Sequence, residues 1–110
     1  MDERARRVGL NEAMFRTVND EVQGLNERFA VIADPMSVVC ECGSAVCTER
    51  LELRARDYEE LRRDSTHFAV KPGHELPDVE TVVERHDGYV VVQKDPGEPA
   101  ELARRTDASD

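Results

Sequence analysis

The chain has 110 residues, of which 35% are charged and 39% hydrophobic, and it contains no tryptophan. This length and composition predict a single domain with a thin, mostly aliphatic core. The net charge of −9 disfavours nucleic acid and anionic membranes as partners, because a diffuse negative field repels phosphate groups. No apolar stretch approaches transmembrane length and residues 1–30 do not resemble a signal peptide, so we expect a cytoplasmic protein.

The first predicted element is a long helix over residues 3–29. From Phe15 onward its apolar residues are spaced by threes and fours, at positions 15, 18, 22, 25 and 29, and Val8 lies one heptad earlier. This seam predicts an amphipathic helix that packs on its own domain, and a self-associating coiled coil is the alternative. Asn11 falls at a position of the seam where it would fix the register of paired helices.

Short strands and one short helix are predicted next. The segment "MSVVCEC" predicts a strand that enters a cysteine loop, and "RLEL" predicts a strand that leaves it. The segment "ARDYEELRR", residues 55–63, predicts a helix with Tyr58 and Leu61 on its inner face. The segment "HFAVKPG" predicts a strand that ends in a Pro-Gly turn.

The segment "TVVERHDGYVVVQK" predicts a β-hairpin. Its Asp-Gly pair is typical of a tight two-residue turn, since such turns require positive φ angles. In that register His86 faces Tyr89, and Val83 faces Val92.

The three cysteines of the chain lie together in "CECGSAVC". Cys40 and Cys42 are two residues apart, so both thiols point to the same face of an extended segment. A turn at Gly43 then returns Cys47 to the same volume. Soft sulfur ligands favour zinc, with a [2Fe–2S] cluster as the alternative cofactor. Small core residues and redox-active thiols are the metal-free interpretations, although an odd number of thiols fits poorly with a disulfide framework.

A fourth ligand is expected from one of three histidines. His74 follows the turn in "KPGHE", which aims its side chain without strain, and it ranks first. His67 begins a strand beside Phe68, which fits a partly buried structural role. His86 belongs to the hairpin, where a solvated side chain is the default. Either of these two is the alternative to His74 as the fourth ligand.

Three segments, "CECGSAVCTERLEL", "YEELRRDSTHFAVKPGHE" and "VVERHDGYVVVQK", together resemble a group of short actinobacterial proteins without an established activity. The shared pattern is C-E-C-G-x3-C, then a short helix with a tyrosine, then P-G-H-E and a closing hairpin. The resemblance covers most of residues 11–94. It implies that one unit is formed by Cys40, Cys42, Cys47 and His74.

The expected fold is α+β, in a single domain over residues 1–94. It combines the long N-terminal helix with a second part over residues 36–94, which a bound zinc ion would stabilise. That part contains a small, mainly antiparallel sheet with a C-terminal hairpin, one short helix and the cysteine loop, which the metal ion would hold in place. Residues 95–110 contain two prolines, a glycine and few apolar side chains, which predicts a flexible acidic tail.

These features predict a structural metal site rather than an enzyme. A closed Cys3His site has no open position for water, and the motifs of metalloproteases, zinc deaminases, α/β-hydrolases and P-loop proteins are absent. The predicted function is a small cytoplasmic zinc-binding module with a regulatory or accessory role. It would act through its N-terminal helix, on a partner protein or as a homodimer. The alternative is an iron–sulfur or thiol-based redox or sensor protein.

Overall fold

The computed structural model describes residues 2–28 and 35–107 of the chain. Within them three helices occur: α1 (Glu3–Arg28), α2 (Ala55–Leu61) and α3 (Glu98–Arg105). The five strands in the same residues are β1 (Met36–Val39), β2 (Arg50–Leu53), β3 (His67–Val70), β4 (Glu80–His86) and β5 (Tyr89–Lys94). This confirms the α+β class and the long N-terminal helix. Position 29, predicted as the last helical residue, lies outside the described residues, and none of the described helices is apolar enough to cross a membrane.

The strands form two antiparallel sheets rather than one. β1 pairs with β2, and β5 lies between β3 and β4. Because side chains alternate along a strand, the second sheet separates two hydrophobic clusters. One of its faces packs against the first sheet and α2, where Tyr58 and Leu61 are buried as predicted. The other face, with Phe68 and Val90, packs against α3 and two of the cysteines.

The hairpin of β4 and β5 contains an irregularity that the sequence did not predict. His86 lies opposite Tyr89 as expected, and their rings stack with centroids 4.6 Å apart. The prediction that Val83 faces Val92 was wrong, because Val82 takes that place. A bulge adds one residue to β4 at this point and leaves Val83 exposed.

The prediction of a flexible tail over residues 95–110 was wrong for residues 98–105, which form α3. Three small or apolar side chains of α3 are buried: Ala100, Leu102 and Ala103. The helix has a proline in its first turn, acidic residues at its start and two arginines at its end. All three features stabilise a helix. The prediction of a tail was based instead on the low hydrophobicity of the segment. Residues 108–110 lie outside the described part of the chain.

α1 packs on the domain mainly through a polar face, and the predicted apolar seam lies only partly on that side. Glu12, Arg16 and Asn19 are fully buried, whereas Val18 and Leu25 of the seam are exposed. A buried charge requires a partner, and each of these side chains has one in the sheets or in α3. The predicted seam is therefore divided between the two sides of the helix, since Val22 packs against the hydrophobic core.

Two buried cations join α1 to the rest of the domain. The Nζ atom of Lys94, on β5, is 2.8 Å from Oε1 of Glu12 and 3.1 Å from Oε1 of Glu80. The Arg16 guanidinium donates to the carbonyl oxygen of Ala103 at 2.8 Å, and it lies 4.5 Å from the centroid of the Phe68 ring. These contacts fix the helix against the sheet and α3.

Candidate metal centre

Four side chains that can bind a metal ion meet in the structure: Cys40, Cys42, Cys47 and His74. Each offers one ligand atom, and these atoms all lie within 4.8 Å of one another. The Nδ1 atom of His74 is 3.7 Å from Sγ of Cys40 and 3.6 Å from Sγ of Cys47. All three cysteines are free thiols. The structure thus brings together the four residues that the sequence singled out.

The separations fit one tetrahedral ion. With a Zn–S bond of about 2.3 Å and a Zn–N bond of about 2.0 Å, a tetrahedron puts nitrogen and sulfur about 3.5 Å apart. Two sulfurs on the same ion lie about 3.8 Å apart by the same geometry. The two measured Nδ1–Sγ distances are close to the first value. A single ion can therefore reach all four atoms with small side-chain shifts.

Backbone amides surround the sulfurs of the loop. The amide of Lys71 donates to Sγ of Cys40 at 3.2 Å. The amides of Cys42 and Ser44 act in the same sense, since they lower the pKa of Cys40 and of Cys42, respectively. A further turn bond, from the Cys47 amide to the Ser44 carbonyl oxygen at 3.3 Å, returns the chain to the cluster. Hydrogen bonds from backbone amides to sulfur favour the thiolate form that a metal ion requires.

A tight turn places His74. The His74 amide donates to the Lys71 carbonyl oxygen at 2.9 Å, which closes a four-residue turn over Pro72 and Gly73. Gly73 has a φ of 93°, and proline followed by such a glycine is typical of a type II turn. The turn therefore directs the imidazole toward the thiols, as the sequence predicted.

The thiols are held away from water. Cys40 and Cys42 are buried and Cys47 is partly buried. Burial raises the pKa of the Cys40 thiol to about 12 and also raises the pKa of Cys42, although the backbone amides oppose both shifts. Without a cation these two thiols stay protonated at neutral pH and are poor nucleophiles. A bound metal ion reverses this, because it takes the deprotonated sulfur as its ligand.

Glu41, between two of the cysteines, anchors the loop. Side chains alternate along the extended C-E-C segment, so the carboxylate points to the side opposite the thiols. Its Oε2 atom accepts hydrogen bonds from Asn19 Nδ2 and from the Tyr58 hydroxyl, both at 2.8 Å. Its Oε1 atom accepts from the Ala69 amide at 3.0 Å. Burial raises the pKa of Glu41 and these three donors oppose the shift. One buried carboxylate thus connects the loop to α1, α2 and β3.

Two asparagines of α1 hold the same loop. Asn19 donates to the carbonyl oxygen of Val39 and accepts from its amide, each at 2.8 Å. Asn11 donates to the carbonyl oxygen of Gly43 at 3.0 Å. The sequence pointed to Asn11 as a register residue of a paired coil, but not as a contact of the cysteine loop. Polar residues on the inner face of a helix were the signal that could have indicated this packing.

The other two histidines lie outside the cluster. His67 faces Asp64, with Nε2 3.5 Å from Oδ2. His86 lies on β4, with Nε2 2.8 Å from Oε1 of Glu84. Of the three candidates for a fourth ligand, His74 is the one beside the thiols.

A cavity of about 340 Å³ borders one side of the cluster, and its walls include Val8, Cys42, His74 and Leu76. It offers a route by which an ion can enter. The four donors already account for all positions of a tetrahedral ion, so the cavity by itself does not provide a coordination site for water.

The fold and the site together define a small α+β domain with a Cys3His cluster that can bind a metal ion. Comparisons with models of protein families, with curated proteins and with solved structures gave no match to the chain.

Proposed function

We propose that the protein is a small zinc-binding module of the cytoplasm that acts through contact with other proteins, in a regulatory or accessory role. One structural zinc ion would be held by Cys40, Cys42, Cys47 and His74. The observation that carries this proposal is the closeness of the four ligand atoms, all within 4.8 Å of one another.

The donor set and its spacing support zinc over a two-iron cluster. Three thiolates and one imidazole are a common ligand set of structural zinc. In a [2Fe–2S] cluster the ligands are divided between two irons, so ligands of different irons lie further apart than ligands of one ion. Four mutually close donors instead suit a single ion.

The position of the cluster supports a structural role. Cys40 and Cys42 belong to the hydrophobic cluster that also contains Phe68 and Val90, and His74 comes from a separate loop. An ion bound here would join two loops that are distant in sequence. A structural zinc ion contributes about 10–16 kcal/mol of apparent binding free energy, which would compensate for a core with few aromatic residues. Because four protein ligands leave no position for a reacting water, we do not propose catalysis.

Elemental analysis of the full-length chain, purified without a tag and without oxygen, tests the identity of the metal. We expect about one zinc and no iron per chain. His74→Ala should lower zinc retention against a competing chelator, whereas the matched variant His86→Ala should retain zinc like the wild type. Two irons per chain, or a folded protein without either metal, would contradict the proposal.

Removal of the ion tests its structural role. A chelator in excess at neutral pH should lower the melting temperature and weaken the circular dichroism signal, because the loops would lose their common ligand. Adding zinc back should restore both signals. An unchanged melting curve after complete zinc removal would show that the ion does not stabilise the fold.

A further inference from the structure

The exposed apolar side chains of α1 lie along one stripe of the helix. Among the described residues six large apolar side chains are exposed, and four of them lie on this one helix: Leu10, Met14, Val18 and Leu25. Their exposed fractions are between 41% and 55%. A concentrated apolar surface of this kind marks an interaction site more often than isolated exposed residues do.

The stripe lies on the side of α1 that faces away from the domain. Successive residues of an α-helix are turned by about 100°, so positions 10, 14, 18 and 25 fall within one narrow sector. The buried residues of α1, Glu12, Arg16 and Asn19, fall in the opposite sector. The stripe is therefore separate from these buried contacts, and Asn11, which donates to Gly43 of the cysteine loop, lies at its edge.

Charged residues on the same stripe indicate how it could pair. Arg7 lies toward its N-terminal end and Glu21 toward its C-terminal end, and both are exposed. If two copies of α1 pair in antiparallel orientation about Met14, Leu10 lies opposite Val18, and Arg7 lies opposite Glu21. A parallel pair in register would instead place Arg7 against Arg7 and Glu21 against Glu21. Opposite charges across an interface favour the first arrangement and like charges disfavour the second.

We propose that the stripe binds a second copy of the chain, forming a two-fold antiparallel helix pair with Met14 at its centre. This identifies the partner in the proposed function and rests on that function for its biological role, but the contact itself does not require zinc. Pairing about Met14 overlaps residues 3–25, a length of about 35 Å, and places Leu25 opposite Glu3, so the interface is small. With a net charge of −9 on each chain, the dimer should be weak, with a Kd of about 10–100 μM.

Sedimentation of the full, zinc-loaded chain over a range of concentrations tests the dimer, and charge exchange tests its orientation. Arg7→Glu and Glu21→Arg should each weaken dimerisation about tenfold, because each places like charges together twice per dimer. The double variant R7E/E21R should return to within about threefold of the wild type. Arg56→Glu, an exposed charge reversal on α2, controls for the change in net charge. Circular dichroism checks that every variant is folded.

The possible outcomes separate this inference from the zinc proposal. A chain that stays monomeric at about 500 μM, or a dimer that the two single variants do not weaken, would overturn the antiparallel pair. A complex that forms only with another protein of the cell would overturn it as well. Zinc content, measured on the same samples, decides the metal proposal independently, since none of the four apolar stripe residues is a proposed ligand of the ion.

Discussion

Replacing Glu41 with glutamine tests whether the buried carboxylate positions the metal loop. The two side chains have nearly the same shape, so the change removes the second acceptor oxygen and the charge with little change in volume. In the native protein both oxygens accept: Oε2 from Asn19 and Tyr58, and Oε1 from the Ala69 amide. A glutamine has one acceptor oxygen and one NH2 group. Whichever way the glutamine amide is turned, its NH2 group must therefore face a protein group that is also a donor.

The contacts around Glu41 determine how much the change to glutamine lowers the free energy of unfolding. Asn19 cannot exchange its oxygen and nitrogen to compensate, because its other contacts with the backbone of Val39 already fix its orientation. The least costly arrangement keeps the two bonds at Oε2 and leaves the Ala69 amide without an acceptor. A buried unsatisfied donor costs about 1–3 kcal/mol, and a bond to a charged acceptor is worth about 1.5–3 kcal/mol. We expect Glu41→Gln to lower the free energy of unfolding by about 2–4 kcal/mol.

Urea unfolding of the zinc-loaded protein measures this loss. Glu59→Gln provides the matched control, because Glu59 is exposed on α2 and its replacement should change the free energy of unfolding by less than about 0.5 kcal/mol. Zinc affinity, measured by competition with a chelator, should also fall for Glu41→Gln, since the two flanking cysteines would be less well positioned. If Glu41→Gln is as stable as the control and binds zinc equally well, the assignment of Glu41 as the anchor of the loop is wrong.

Three further substitutions probe how α1 is attached. Lys94→Met should lower the free energy of unfolding by about 3–5 kcal/mol in urea titrations, because it removes the cation that the buried Glu12 and Glu80 side chains share. Burial, followed by repulsion from Glu80, raises the pKa of Glu12 well above its ordinary value of 4.5. The folded state therefore binds a proton on Glu12 more tightly than the unfolded state does, and it loses stability as the pH rises above 4.5. Glu12→Gln does not titrate, so its stability relative to the wild type should improve in thermal melts as the pH rises above 4.5, and a constant difference would contradict this. A Cβ atom at Gly43 would contact the Val8 side chain, so Gly43→Ala should lower the melting temperature, corresponding to about 1–3 kcal/mol, and Val8→Ala should restore part of the loss.

The geometry of the candidate metal centre could be predicted because the constraints are local. Cys40, Cys42 and Cys47 are close in sequence, and the alternation of an extended chain followed by a turn largely determines where their side chains point. The Pro-Gly turn before His74 is equally local, and it directs one imidazole without reference to the rest of the fold. The hairpin turn, too, follows from the Asp-Gly pair.

The features that sequence reasoning missed depend on contacts between distant segments. In the sequence, Glu12 and Arg16 are typical of a solvated helix face. The structure places Lys94 beside Glu12 and Ala103 beside Arg16. Helix α3 has few apolar residues, so composition predicted a tail. It packs because small side chains such as Ala103 fit against the cluster that contains the cysteines. The bulge at Val83 likewise depends on how β4 packs, which no local pattern indicates.

The buried polar face of α1 gives the metal loop a position that the hydrophobic clusters alone would not define. Apolar contacts are not directional, so a loop packed only by them could shift between similar arrangements. Asn11, Asn19 and Glu41 instead make directional bonds from α1 to the loop or from the loop to its neighbours. Each of these bonds is satisfied only when the loop has one conformation, and a half-satisfied network would be costly. The inner side of the helix therefore positions the loop that contains the three cysteines, whereas His74 is positioned by its own Pro-Gly turn. The outer apolar stripe of the helix takes no part in these bonds.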